Sequence, residues 1–254
     1  VGATGQPPVN ADFGPLRLVG WQPPDVARQG EFVPIQFWWQ ALQPPAGDWL
    51  FSVKIVDDKG VVWAGHDDRP REGYNPTSSW APGQLIRDVQ MVLLPGGILP
   101  GDYTVVANWY EPGTLRGVGP QSVIVGRIHI LQATRPDVSK LGIPSPFDYQ
   151  FADGLELLGF DMPSQINAGQ LLGLRLFWRV NRAPGAGIDI HLRSAKNSVP
   201  LPLQRTAEWL TGEQVETRLE IPTDAAWAGS GRLSVALSDS PSAAALPQTL
   251  TISS

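Results

Sequence analysis

The residue types best suited to chemistry crowd into one stretch, His66–Ser79, "HDDRPREGYNPTSS". His66, Asp67, Asp68, Arg71, Tyr74 and Asn75 fall within ten positions of one another. On a loop, such a mixture of carboxylates, a guanidinium, an amide and a phenol suits a sugar or a protein partner, and loops carry function more often than the strands they join. The adjacent carboxylates Asp67 and Asp68 raise calcium as a ligand. A calcium ion takes about six to eight oxygens, and two neighbouring aspartates without alternating acidic spacing supply too few, so no metal is assigned. The plainer reading, favoured here, is a solvated crossover whose charges pair among themselves.

Covalent and acid–base catalysis find little material. Two of the three histidines, His129 in "RIHIL" and His191 in "DIHLR", sit in apolar runs that read as strands, where a structural role is the simpler one. There is no G-x-S-x-G elbow, H-E-x-x-H pair, P-loop, G-x-G-x-x-G turn or D-x-D. A glycosidase would need two carboxylates facing each other across a cleft, and nothing marks such a pair. Cysteine is absent, which removes thiol catalysis, disulfides and zinc–thiolate sites. The expectation is a protein that is not an enzyme and carries no cofactor. A different chemistry, stacking, is open to spare aromatics, and "IQFWWQ" (Ile35–Gln40) places two tryptophans side by side. On a strand only one of them can face the core.

The elements that must hold these residues are short and β-rich. Among 254 residues there are 25 Pro and 27 Gly, a density that breaks long helices and punctuates strands. Lys plus Arg number 19 and Asp plus Glu 24, for a net charge of −5. A mildly acidic chain without a basic cluster is poorly matched to nucleic acid or anionic lipid. No stretch reaches the roughly 18 apolar residues of a membrane span. No leader pattern opens the chain; it begins on Val, which leads us to expect a processed or excised piece of a longer protein.

The chain also repeats itself. Leu18–Gln40, "LVGWQPPDVARQGEFVPIQFWWQ", lies over Leu157–Arg179, "LLGFDMPSQINAGQLLGLRLFWR", with Leu18/Leu157, Gly20/Gly159, Pro24/Pro163, Gly30/Gly169 and Trp39/Trp178 identical at a spacing of 139. "WAPGQLIRD" from Trp80 matches "WLTGEQVET" from Trp209 at 129, and "GDYTVVANW" from Gly101 matches "GRLSVALSD" from Gly231. This is a tandem duplication with a period too long for a solenoid. We expect a first domain over 1–132, a linker over 133–147 ("ATRPDVSKLGIPSPF") and a second domain over 148–254. Lys59 and Lys196 are 137 apart, against 129 at the tryptophans, so the first copy holds about eight extra residues in the His66–Ser79 region.

Alternating apolar runs predict seven strands in each half: Leu16–Trp21, Phe32–Ala41, Trp49–Val56, Val61–His66, Ile86–Leu93, Asp102–Tyr110 and Ser122–Leu131, then Leu155–Phe160, Leu171–Val180, Ile188–Leu192, Val199–Leu203, Val215–Ile221, Arg232–Leu237 and Thr249–Ser253. The fold class is all-β: two tandem immunoglobulin-like antiparallel β-sandwiches, with an eight-stranded jelly roll left open. In the second copy Arg175 and Arg179 mark the wet face of their strand, so Leu174, Leu176 and Trp178 point inward. Transferring that register makes Trp39 core and leaves Trp38 outward, with Phe177 as its counterpart. The same logic turns Trp109 inward and Tyr110 outward. An outward Trp38, Phe177 or Tyr110 could stack on a pyranose, or could pack against the sheet edge, the linker or another chain.

"NADFGPLRLVGW", "QFWWQA", "YNPTSSWAPGQLIRD" and "LPGDYTVVANWYEP" together resemble the β-sandwich modules of large envelope proteins in Chloroflexi-type bacteria. Such modules are often appended to multi-spanning membrane glycosyltransferases of the mannosyltransferase-like class. The first half follows the pattern nearly throughout, with Asn108-Trp109 near where a final Gly is expected. The second keeps "FADGLELLGF" and the Trp178 block and departs at the Y-P-T-S loop. The motifs describe packing and turns, and no catalytic residue transfers with them. The resemblance implies an extracytoplasmic location, attachment through a membrane-anchored parent chain, and glycans as neighbours.

Three functions follow as expectations: a non-catalytic structural or protein-interaction module, a carbohydrate-binding module using exposed aromatics of the first domain, and an enzyme. The first is preferred. Ligand or partner contact is assigned to Trp38, Tyr110, His66, Asp67, Asp68, Arg71, Tyr74, Asn75 and Phe177.

Overall fold

A computed structural model of the chain describes residues 10–184, 190–194, 198–201, 206–224, 227–237 and 243–253. The chain divides into two compact units, Val1–Thr134 and Arg135–Ser254. Among the described residues each unit has nine strands in two sheets.

The first unit contains β1 (Ala11–Asp12), β2 (Leu16–Gln22), β3 (Ala27–Arg28), β4 (Phe32–Ala41), β5 (Leu50–Val56), β6 (Val62–Asp68), β7 (Leu85–Leu93), β8 (Gly101–Tyr110) and β9 (Gly117–Leu131). Its four-stranded sheet runs β1-β2-β4-β7 and its five-stranded sheet β3-β9-β8-β5-β6. The second unit contains β10 (Ser145–Gln150), β11 (Leu155–Asp161), β12 (Gln165–Asn167), β13 (Leu171–Val180), β14 (Ile190–Arg193), β15 (Ser198–Leu201), β16 (Gln214–Pro222), β17 (Gly229–Leu237) and β18 (Ala243–Ser253). Its sheets run β10-β11-β13-β16 and β12-β18-β17-β14-β15. The second order is the first with nine added to every strand. The duplication read from the sequence is thus a duplication of topology.

All fourteen expected strands are present, with ends shifted by a few residues. The beginning of the expected Ile188–Leu192 strand and the end of Val199–Leu203 lie outside the described residues. The sheets are antiparallel except at two short edge strands: β3 runs parallel to β9, and β12 parallel to β18. These two short edge strands, with β1 and β10, were not expected. The linker over 133–147 is also corrected. The unit boundary follows Thr134, a 3-10 turn forms at Val138–Leu141, and β10 begins at Ser145, so most of that segment is part of the second unit.

The inward set of β4 is Val33, Ile35, Phe37, Trp39 and Ala41, all buried. Trp39 meets Phe51 of β5 at a ring separation of 4.9 Å and Trp109 of β8 at 5.0 Å, both edge-on. Rings from opposite sheets therefore interlock, as aromatic quadrupoles favour. In the second unit Leu172, Leu174, Leu176 and Trp178 of β13 are buried in the matching register. The bulge is duplicated too. β2 slips against β4 between Leu18 and Gly20, and β11 slips against β13 between Leu157 and Gly159. Left-handed glycines recur at the turn into β4 and β13, Gly30 (φ 71°) and Gly169 (φ 87°), where an L side chain would be strained.

Near the start of β8 the Tyr103 hydroxyl donates to the Leu99 carbonyl at 2.7 Å, tying the strand to the corner before it. Leu233 stands at the corresponding place in β17.

Candidate functional site

The sequence between β6 and β7 forms two 3-10 turns, Pro70–Gly73 and Thr77–Ser79, pinned by buried polar groups. The Thr77 hydroxyl donates to the Gly47 carbonyl at 2.7 Å and accepts the Trp49 amide at 2.9 Å. Trp80 is buried behind it, its indole N–H on the Asn75 carbonyl at 3.2 Å. The second unit keeps this part of the loop in shortened form, with a 3-10 turn at Thr206–Glu208 followed by buried Trp209. Thr206, itself buried, stands where Thr77 does in the first unit.

Arg71 and Glu72 both sit in the left-handed region, at φ 53° and 57°. Such backbone costs about 1–3 kcal/mol per residue and persists only where the surroundings enforce it. The enforcing group is Asp88, a wholly buried carboxylate on β7. It accepts the Arg71 amide at 2.9 Å and the Gln90 side-chain amide at 2.6 Å, and the Val89 amide also bonds to it. Burial pushes the Asp88 carboxyl above the usual carboxylate range, against the pull of these donors, and the Asp68 charge adds to the rise.

Between this turn and β7 lies an open groove of about 520 Å³, lined by Arg71, Glu72, Asn75, Gln84, Leu85, Ile86, Arg87 and Val89. Two of the expected residues, Arg71 and Asn75, thus face the same space. Tyr74 projects to solvent beside them, 89% exposed. The others belong elsewhere. His66, Asp67 and Asp68 are on β6 and not on the loop, paired with Val53, Ser52 and Phe51 of β5. His66 Nε2 stands 3.9 Å from Asp68 Oδ2, and the Tyr110 hydroxyl donates to Asp67 Oδ2 at 3.0 Å. Burial, then the Asp67 carboxylate, pushes the Tyr110 phenol up to about 12. Asp67 is thus engaged by Tyr110 of β8, and Asp68 faces His66 along its own strand. Among the described residues, no group of three or more His, Asp or Glu is placed to hold a metal ion.

Trp38 is half-buried on the outer face of the four-stranded sheet, opposite Gly20 on one side and Arg87 on the other. A Cβ added to Gly20 would lie 3.7 Å from Trp38 Cε3, so the ring roofs the glycine at the bulge. Phe177 makes the same pairing with Gly159 but is 0% exposed, which removes it as a partner-binding residue. It packs with Leu141 and Leu158, and Val138 and Ile143 close over this cluster. Arg175 stands 5.5 Å from its ring centroid. The supposed linker is the lid.

The face around Trp38 differs in a way that the expected residues did not capture. In register on β4 and β7 stand Phe32/Leu93, Pro34/Met91, Gln36/Val89, Trp38/Arg87 and Gln40/Leu85. Phe32 is 62% exposed, and Leu85, Val89, Met91 and Leu93 are also exposed. On β16 the corresponding positions are Gln214, Glu216, Arg218, Glu220 and Pro222. There the charges pair: Glu216 with Arg218 at 2.7 Å and with Arg175 at 3.4 Å, and Arg175 with Asp161 at 2.7 Å. On the first unit the one cation of the stripe, Arg87, donates through Nε (2.9 Å) and Nη2 to Gln36 Oε1. The signal was present in the sequence: "LIRDVQMVL" and "QVETRLEIP" keep aliphatic residues at the first and last inward positions, Ile86/Val215 and Val92/Ile221, and part company at every outward position.

No family model matches the chain, and no curated protein matches it.

Proposed function

We propose that the chain is a non-catalytic protein-interaction module whose first unit carries the contact surface, on the outer face of β4 and β7. The observation that carries this reading is the contrast between the copies. Four of five outward side chains on β7 are apolar, where three of five on β16 are charged. Contiguous exposed apolar side chains on a soluble domain mark places where something else binds. The second unit has answered the same problem internally, with its Val138–Ile143 lid and its ion pairs.

Both units are read as variants of the immunoglobulin-like sandwich. The order β2-β4-β7 against β9-β8-β5-β6 and the tyrosine tie of Tyr103 to Leu99 support that reading. The resemblance to envelope modules supports a place outside the cytoplasm, on a membrane-anchored parent chain. Among the described residues, no helix is long and apolar enough to cross a membrane.

A photo-crosslinking residue placed at Met91, and separately at Glu220, tests the proposal in cells that make the protein. The expected result is a protein adduct from position 91 and none from 220. Adducts from neither position would remove the reading. Carbohydrate binding is the second reading, favoured by the partial exposure of Trp38; glycan-array binding abolished by Trp38→Ala would establish it in place of the first.

A further inference from the structure

The geometry points to the groove between β7 and the Arg71 turn as a docking site for an acidic, extended peptide segment of the partner. This deepens the proposal that the first unit is a protein-interaction module, and rests on it.

Three observations converge. First, Arg71 and Arg87 line the same groove, and neither is paired with a carboxylate among the described residues. Glu72 is the one acid that shares the lining, so two guanidiniums stand against one carboxylate. Gln36 holds Arg87 by Nε and Nη2 through a single oxygen, which fixes the guanidinium and leaves its remaining N–H groups free to donate. A planar guanidinium with spare donors is matched to a carboxylate.

Second, the turn that presents Arg71 is built, not loose. Its left-handed backbone is held by the Asp88 carboxylate, buried behind the strand. The positive side chain is thus positioned at the expense of local strain, which is a device of binding sites.

Third, Leu85, Ile86 and Val89 form an aliphatic ridge in the wall, beside the Asn75 and Gln84 amides. Leu85 and Val89 line the groove and continue onto the exposed stripe with Met91 and Leu93. No aromatic side chain lines it. Sugar rings are gripped by aromatic faces, whereas aliphatic ridges flanked by guanidiniums suit a peptide that alternates apolar and acidic side chains. The lack of an aromatic face among the lining residues therefore favours a peptide over a glycan, and charge complementarity makes that peptide acidic.

The test is selection from a displayed random twelve-residue peptide library, panned on the full chain and on an Arg71→Gln/Arg87→Gln variant. Arg71→Gln keeps the backbone amide that Asp88 accepts, so the turn stays anchored. The expected result is enrichment of Asp and Glu interleaved with apolar residues on the unaltered chain. The double variant should lose that enrichment, with affinity for a selected peptide falling about tenfold or more. On the unaltered chain the same peptide should weaken with added salt, a readout that does not depend on the variant folding. Selection of neutral or basic sequences, no selection at all, or undiminished binding by the folded double variant would overturn the assignment. So would arginine-dependent binding of oligogalacturonate without any acidic peptide. If peptide selection fails while crosslinks still form from position 91, this inference falls and the interaction face stands.

Discussion

At the residue scale, neighbouring tryptophans have opposite duties. Trp39 fills the core against Phe51 and Trp109, so Trp39→Ala should cost the first unit about 3–5 kcal/mol. Trp38 roofs Gly20 from outside, and Trp38→Ala should cost about 1 kcal/mol; urea unfolding of the two variants measures the difference. Asp88 gives a prediction in pH. Burial raises its pKa in the folded state, so the folded state binds that proton more tightly than the unfolded one. Its contribution is fully present below the unfolded carboxylate pKa and fades as pH rises through the raised folded value. Asp12, Asp48 and Asp102, held below their usual range chiefly by Arg17, Ser78 and His129, act in the opposite sense. The clean readout is therefore the difference between the unaltered chain and Asp88→Asn. Relative to Asp88→Asn, the unaltered chain should lose stability as pH rises above the ordinary carboxylate range. The Oε1 of Gln90, buried without a partner, could accept from the new amide. The inward and outward sorting of Trp38, Trp39, Trp109 and Tyr110 was legible because the second copy supplied arginines as markers. The burial of Phe177 was not, because its lid comes from a segment whose Pro, Ser and Lys read as linker.

At the element scale, the duplicated bulge sets two glycines in unequal surroundings. A Cβ on Gly159 would fall 2.3 Å from Ile143 Cγ2 and 2.6 Å from the Ser145 carbonyl oxygen, while one on Gly20 meets nothing closer than 3.7 Å. Gly159→Ala should destabilise the second unit by about 1–3 kcal/mol through overpacking, whereas Gly20→Ala should change the first by less than about 0.5 kcal/mol. Thermal unfolding of both variants checks this. Thr77→Val would strip the Trp49 amide and the Gly47 carbonyl of their partner, a loss of about 1–3 kcal/mol for buried groups left unpaired, seen as earlier unfolding of the first unit. Long strands such as β4 and β13 were legible to the residue because one face is core and alternation records it. The edge strands β1, β3 and β12 span two or three residues and have no period to read. β10 was hidden by Pro146, which is tolerated where a strand needs few ladder bonds. The groove was half legible: composition drew attention to Arg71 and Asn75, but Arg87, Leu85 and Val89 reach it because the Arg71 amide ties the turn to Asp88 of β7.

At the scale of the whole molecule, one nine-stranded unit has been built twice and its outer face finished in two ways. The second copy closes that face with its own preceding segment and a network of charges; among the described residues the first leaves an apolar stripe, an anchored turn and two guanidiniums. The central claim is that one face is closed and the other open. Because the chain has no cysteine, single thiols report on this directly. Thiol-labelling rates of Trp38→Cys and Phe177→Cys, at equivalent places in the two copies, should differ: rapid modification at 38 under native conditions, and modification at 177 only as the second unit unfolds. Equal rapid labelling at both positions would contradict the account.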